Sequence, residues 1–152
     1  MNPRPIVIVV YVIGNCSPVN VALNILGYRC QISGKSNVLK DTDLLLLPGV
    51  GAFPMAMNAL YEFDLILPLQ EWAKRGKPMV GICLGMQLMS RIGYEGGERL
   101  GLGLLAMECK PLDIDDDSLK VPHVGWNSIK KKSKCKLWKG VPDKSDFYFV
   151  HS

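Results

Sequence analysis

The sequence predicts an α/β fold: a doubly wound, mostly parallel sheet with antiparallel strands added in the C-terminal half. Three observations predict it. The apolar runs at residues 6–13, 44–47 and 77–82 lack the alternation of a half-exposed strand and read as strands covered on both faces. Between them lie segments with apolar residues at helical spacing, so strands alternate with helices. After Gly93 the texture changes to turns and short alternating runs, which suggests appended hairpins.

Taken in order, Ile6 to Ile13 is a β-branched strand that ends in Gly14-Asn15. Ser17 can cap the next helix with Pro18 at its first position, and Val19, Ala22, Leu23 and Leu26 repeat at helical spacing up to Gly27, a natural stop. Tyr28 to Ser33 and residues 44–47 are the next strands, the second running into "PGVGAF". A helix from about Pro54 and another through "LPLQEWAKRG", closed by Gly76, precede the buried strand "KPMVGI". A helix over "LGMQLMSRI" follows.

With 152 residues, 48% hydrophobic and 21% charged, the chain reads as one soluble domain over 1–152 with a real core. The net charge of +4 owes much to "KKKSKCK", which reads as a solvated loop or hairpin and makes no case for nucleic acid. The acidic "DIDDD" is most simply a solvated turn. Five widely spaced cysteines without a CxxC pair support neither a disulfide framework nor a zinc site, and fit a reducing cytoplasm. The N-terminal apolar run is too short to span a bilayer and is followed by no cleavage pattern. No G-x-G-x-x-G, P-loop or metal-ligand cluster is present, so no cofactor is expected.

The stretch "PMVGICLGMQLM" carries the chemistry. Gly81, Cys83 and Gly85 form G-x-C-x-G where a strand meets a helix, the pattern of a nucleophile elbow with cysteine in place of serine. Such a turn presents the sulfur at the carboxyl end of the strand, where open α/β sheets bind ligands. It also sets the thiol at a helix N-terminus, which favours thiolate. The other reading is a buried structural cysteine. In "PGVGAF", Gly49 and Gly51 would let backbone N–H groups approach a ligand, as an oxyanion hole requires.

"GICLGMQ" with "LLLPGVGAF" upstream resembles the class I, triad-type glutamine amidotransferases, and "VPHVGWN" and "FYFVHS" resemble, more narrowly, the glutaminase subunit of imidazole glycerol phosphate synthase. The resemblance spans Ile6 to Ser152 and implies a flavodoxin-like sheet. It further implies hydrolysis of glutamine to glutamate and ammonia, with the ammonia passed to a (β/α)8-barrel synthase in histidine biosynthesis. By the same resemblance Cys83 is the thioester-forming nucleophile, Gly49, Val50 and Gly51 form the oxyanion strand, and the Leu84 N–H is the second oxyanion donor. Gln87 and Glu95 fall where the family contacts glutamine, and His151 and Ser152 at the pocket edge. Pro122, His123, Gly125, Trp126 and Asn127 match the strip that faces the barrel, with Trp126 as its aromatic anchor.

Two departures stand out. The family's His-x-Glu motif is absent, and the histidines present, His123 and His151, match other motif positions, so the chain is expected to be C-terminally truncated and catalytically crippled. The family's Asp-Tyr-Gly before the first turn is here Val10, Tyr11 and Val12. A glutaminase feeding a different synthase, a non-catalytic module docking on a synthase and an esterase-like cysteine hydrolase are the alternatives; the first is told apart by partner identity, the last by ester hydrolysis.

Overall fold

The computed structural model describes residues 4–11, 16–40, 42–115, 120–133 and 135–152. Its contacts divide into two compact units, Met1–Lys110 and Pro111–Ser152. Each is taken by itself.

The first unit holds β1 (Ile6–Val9), α1 (Cys16–Ile25), β2 (Cys30–Ser33), α2 (Ser36–Leu39), β3 (Leu45–Gly49), α3 (Phe53–Glu62), α4 (Ile66–Lys74), β4 (Met79–Cys83) and α5 (Leu84–Leu88). The short strands β5 (Ile92–Gly93), β6 (Arg99–Leu100) and β7 (Glu108–Cys109) complete it. The main sheet has the order β2-β1-β3-β4, and every pair in it is parallel. That is the beginning of a flavodoxin-like sheet, whose ligands lie beyond the carboxyl ends of the strands. Val7, Ile8, Val9, Leu45, Leu46 and Leu47 are all buried, as unbroken apolar strands covered on both faces must be. Phe53, Leu60, Leu69, Trp72, Leu84 and Leu88 close the core over them from α3, α4 and α5.

Several boundaries move. β1 stops at Val9, four residues short of the expected Ile13; Gly14 and Asn15, the expected turn, lie outside the described residues. α1 begins at Cys16, so Ser17 stands inside the first turn rather than capping it, and Pro18 is the third helical residue. Gly27, at φ 83, does end α1: its N–H reaches the Asn24 carbonyl at 3.0 Å and the Tyr28 N–H reaches that of Leu23 at 3.0 Å. The expected apolar stripe buries little. No residue of α1 is buried and Leu26 is 69% exposed, because the helix rests on the β1–β2 edge of the sheet rather than on its centre.

β4 also differs from a strand buried on both faces. Met79, Val80 and Gly81 are half-buried and Ile82 is exposed, since among the described residues β4 pairs only with β3. α5 is five residues long, where helical spacing extends to Ile92. The carbonyls of Leu88, Met89 and Ser90 are taken by the N–H groups of Leu102, Leu104 and Gly103 at 2.8, 2.9 and 2.9 Å, so no acceptor is left to continue the helix. The chain then turns through β5, which pairs antiparallel with β6 and parallel with β7.

The second unit is built on β8 (His123–Ser128) paired antiparallel with β9 (Asp146–His151). The connection carries the lysine cluster, Lys134 lying outside the described residues, and a 3-10 turn at Lys136–Trp138. Lys130, Lys132 and Lys136 are exposed, while the Lys131 N–H is held by the Asp143 carboxylate at 2.9 Å. Asp116 and Asp117 of the acidic cluster lie outside the described residues.

The packing of α3 yields a direct test. Leu60 is fully buried and Met55, on the same helix, is 72% exposed. Leu60→Ala is expected to cost about 2–5 kcal/mol of stability and Met55→Ala less than about 0.5 kcal/mol, read by urea denaturation.

Candidate active site

Cys83 is the last residue of β4 and the cap of α5, with φ 54 and ψ −121. A non-glycine residue there costs on the order of 1–3 kcal/mol and persists only where its surroundings hold it. The surroundings are three glycines. A Cβ on Gly85 would fall on the Leu47 carbonyl oxygen and 2.6 Å from its carbon. A Cβ on Gly81 would lie 2.5 Å from the Met86 Cα and 2.7 Å from its nitrogen. A Cβ on Gly49 would meet the Tyr11 hydroxyl and come within 2.8 Å of the Gly85 nitrogen. Backbone packs on backbone here, which leaves the Cys83 side chain the exposed group of the turn.

The second glycine loop lies beside it. Gly49 and Cys83 are register partners at the ends of β3 and β4. Gly49 opens the loop as the last, buried residue of β3, Val50 is exposed, and Gly51 turns at φ 93 before α3. Leu84, buried, is the first residue of α5, so its N–H has no acceptor within the helix. Gln87 is half-buried one turn past Cys83.

Glu95 joins this region from the turn after β5. Its Oε2 accepts the Phe53 N–H at 2.7 Å. Phe53 opens α3, and Ala52 before it offers no side-chain cap, so the carboxylate caps α3 from outside the helix. The G-x-C-x-G spacing does not signal this link between the β5 turn and the exit of the glycine loop.

Tyr11 is a residue of this region that neither glycine motif marks. It is 4% exposed, and its hydroxyl donates to the Pro48 carbonyl at 2.9 Å. Burial, with the charges of Cys16 and Cys83 behind it, holds the phenol well above the ordinary tyrosine range, so it remains a donor. A phenol within a β-branched run is the available signal, because a buried hydroxyl needs a partner.

Burial pushes the thiols of Cys16, Cys30 and Cys109 up, the last with help from the charge of Glu95. Cys135 is exposed in the second unit. Among the described residues no group of three or more His, Cys, Asp or Glu side chains could hold a metal, and no helix is long and apolar enough to cross a membrane. The first unit has a cavity of about 510 Å³ between α2 and α4, lined by Leu39, Tyr61 and Trp72 among others and not by Cys83.

In the second unit the strip from Pro122 to Asn127 divides between two faces, as a strand must. His123 and Gly125 are half-buried with Phe149 and His151, while Trp126 is 73% exposed and stands edge-on to Tyr148 with ring centroids 5.7 Å apart. Pro122 and Asn127 are exposed, as is Ser152. His123 Nδ1 and His151 Nε2 are 2.8 Å apart, so one nitrogen of each ring is engaged by the other ring.

The family model for class-I glutamine amidotransferases matches residues 11–152. The chain is 42% identical over 149 residues to the imidazole glycerol phosphate synthase subunit HisH of Moorella thermoacetica, covering 98% of this chain and 70% of that protein. It is 44% identical to the subunit of the same name from Lactococcus lactis, covering 98% of this chain and 72% of the relative. A crystal structure of a glutamine amidotransferase superposes with a TM-score of 0.69 at 15% identity, over 95% of this chain and 70% of that one, a likeness of fold. The chain belongs to the class-I glutamine amidotransferase family, among the HisH subunits of imidazole glycerol phosphate synthase.

Proposed function

We propose that this chain is the glutaminase part of an imidazole glycerol phosphate synthase, with Cys83 as its nucleophile. The observation that carries the reading is the Cys83 turn, at φ 54, with the Gly49 end of β3 as its register partner. The thiolate attacks the γ-carboxamide carbon of glutamine. The oxygen that gains charge is held by the Leu84 N–H and the backbone of Gly49, Val50 and Gly51. The C–N bond then breaks, the nitrogen leaves as ammonia with an added proton, and a γ-glutamyl thioester remains on Cys83. Water releases glutamate and restores the thiol. Gln87 and Glu95 contact the glutamine, Glu95 in addition to its hold on α3.

The ammonia passes to a (β/α)8-barrel synthase in histidine biosynthesis, so the working protein is a cytoplasmic heterodimer and needs no cofactor on this chain. The strip of Pro122, His123, Gly125, Trp126 and Asn127 belongs to the barrel interface, with the face that carries Trp126 turned to the barrel. The exposed Trp126, braced by Tyr148, supports this as its anchor. The base that forms the thiolate and protonates the leaving nitrogen is the family's His-x-Glu pair. This sequence has two histidines, neither in that motif, and they hydrogen-bond to each other.

The chain spans 70% of the Moorella thermoacetica relative, which defines the experiment. Ammonia release from glutamine is measured with the barrel synthase and its ligand present. The two samples are the 152-residue chain and the same chain fused to the remaining segment of that relative. The fusion is expected to be active and the short chain not, and Cys83→Ala in the fusion is expected to lower the rate by at least about a thousandfold. Ammonia release that survives Cys83→Ala contradicts the reading. Trp126→Ala is expected to weaken binding to the barrel by about tenfold or more, measured by calorimetry.

A further inference from the structure

On the β1 side, β3 runs on past its partner. The β1–β3 register covers Val7↔Leu45 and Ile8↔Leu46, whereas the β3–β4 register continues to Gly49↔Cys83. Among the described residues, the last residues of β3, which lead directly into Val50 and Gly51, therefore have a strand on one edge only. Carbonyl directions alternate along a strand. The Leu44 carbonyl faces β1, where it accepts the Val7 N–H at 3.1 Å, so the Pro48 carbonyl faces the same edge beyond the end of β1. Proline has no N–H, so this carbonyl is the one backbone polar group Pro48 presents.

Tyr11 fills that vacancy. β1 ends at Val9, and two residues later the chain turns the buried Tyr11 ring back so that its hydroxyl donates to the Pro48 carbonyl at 2.9 Å. The hydroxyl lies where a Cβ on Gly49 would be, and Gly49 in turn touches the start of α5. One side-chain bond thus replaces the missing β1 ladder at the point where β3, the glycine loop and the Cys83 turn meet.

We propose that Tyr11 is a positioning residue for the oxyanion loop: its hydroxyl holds the Pro48 carbonyl and so sets Gly49, Val50 and Gly51 against Cys83. This rests on the reading of Cys83 as the nucleophile and of the loop as its oxyanion site. Tyr11 touches no reacting atom. Its loss changes how well the loop stabilises a developing charge, and leaves the sulfur itself as accessible as before.

The test uses two reagents on the same sulfur in the barrel-bound fusion described above, with Tyr11→Phe beside the unsubstituted fusion and modification located by mass spectrometry. The glutamine analogue 6-diazo-5-oxo-L-norleucine presents a ketone to the oxyanion loop, whereas iodoacetamide requires only an accessible thiol. Tyr11→Phe is expected to slow the diazo-ketone reaction at Cys83 by about tenfold, with the iodoacetamide rate unchanged. Hydrogen exchange is a second readout: amides of Gly49 to Phe53 are expected to exchange faster in the variant and those of Leu45 to Leu47 as before. An unchanged diazo-ketone rate, an equal slowing of both reagents, or exchange that rises throughout β3 overturns the proposal. If the diazo-ketone spares Cys83 in the unsubstituted fusion while iodoacetamide modifies it, the nucleophile reading is what has failed, and the proposal falls with it.

Discussion

The close approach of Gly85 to the Leu47 carbonyl is the constraint on which the site depends. It lets the start of α5 lie against β3 with no side chain between them, and it fixes where the chain must turn after β4. Cys83 absorbs that turn in a backbone conformation that disfavours any residue with a side chain. The strain is offset by packing. Leu84 and Leu88 are buried on α5, and burial of each contributes roughly 1.5–3 kcal/mol, enough to hold the turn that precedes them.

The same contact explains why the two glycine loops work as a pair. Gly49 cannot carry a side chain because a Cβ there would meet both the Tyr11 hydroxyl and the Gly85 nitrogen. The end of β3 is therefore gripped from both edges, by β4 through the register and by Tyr11 through one hydrogen bond. Glu95 then fixes the exit of the loop by capping α3 at Phe53. On the proposed reading, a loop tied at entry and exit beside a sulfur presented by a strained turn is preorganised for a developing charge, where electrostatic catalysis gains most.

Much of this was legible in the sequence, for reasons that can be named. Unbroken apolar runs marked β1 and β3, and Gly27 and Gly76 marked helix ends because each needs a positive φ. The G-x-C-x-G spacing located the turn, since the steric demand on Gly81 and Gly85 is local. What the sequence did not disclose depends on distant partners. The length of α5 is set by amides of residues 102 to 104 that take its last acceptors. Tyr11 finds Pro48, and Glu95 finds Phe53, across separations of 37 and 42 residues. The motif "PHVGWN" reads as one strip, but strand alternation turns His123 and Trp126 to opposite faces.

The central claim is that the Cys83 sulfur and the Gly49–Gly51 loop act on one carbonyl. A crystal structure of the Cys83 adduct of the diazo-ketone glutamine analogue tests it most directly. The account predicts the adduct's carbonyl oxygen within hydrogen-bond reach of the Leu84 N–H and of an N–H in the loop. An oxygen directed away from both, or an adduct formed on a different cysteine, would contradict it.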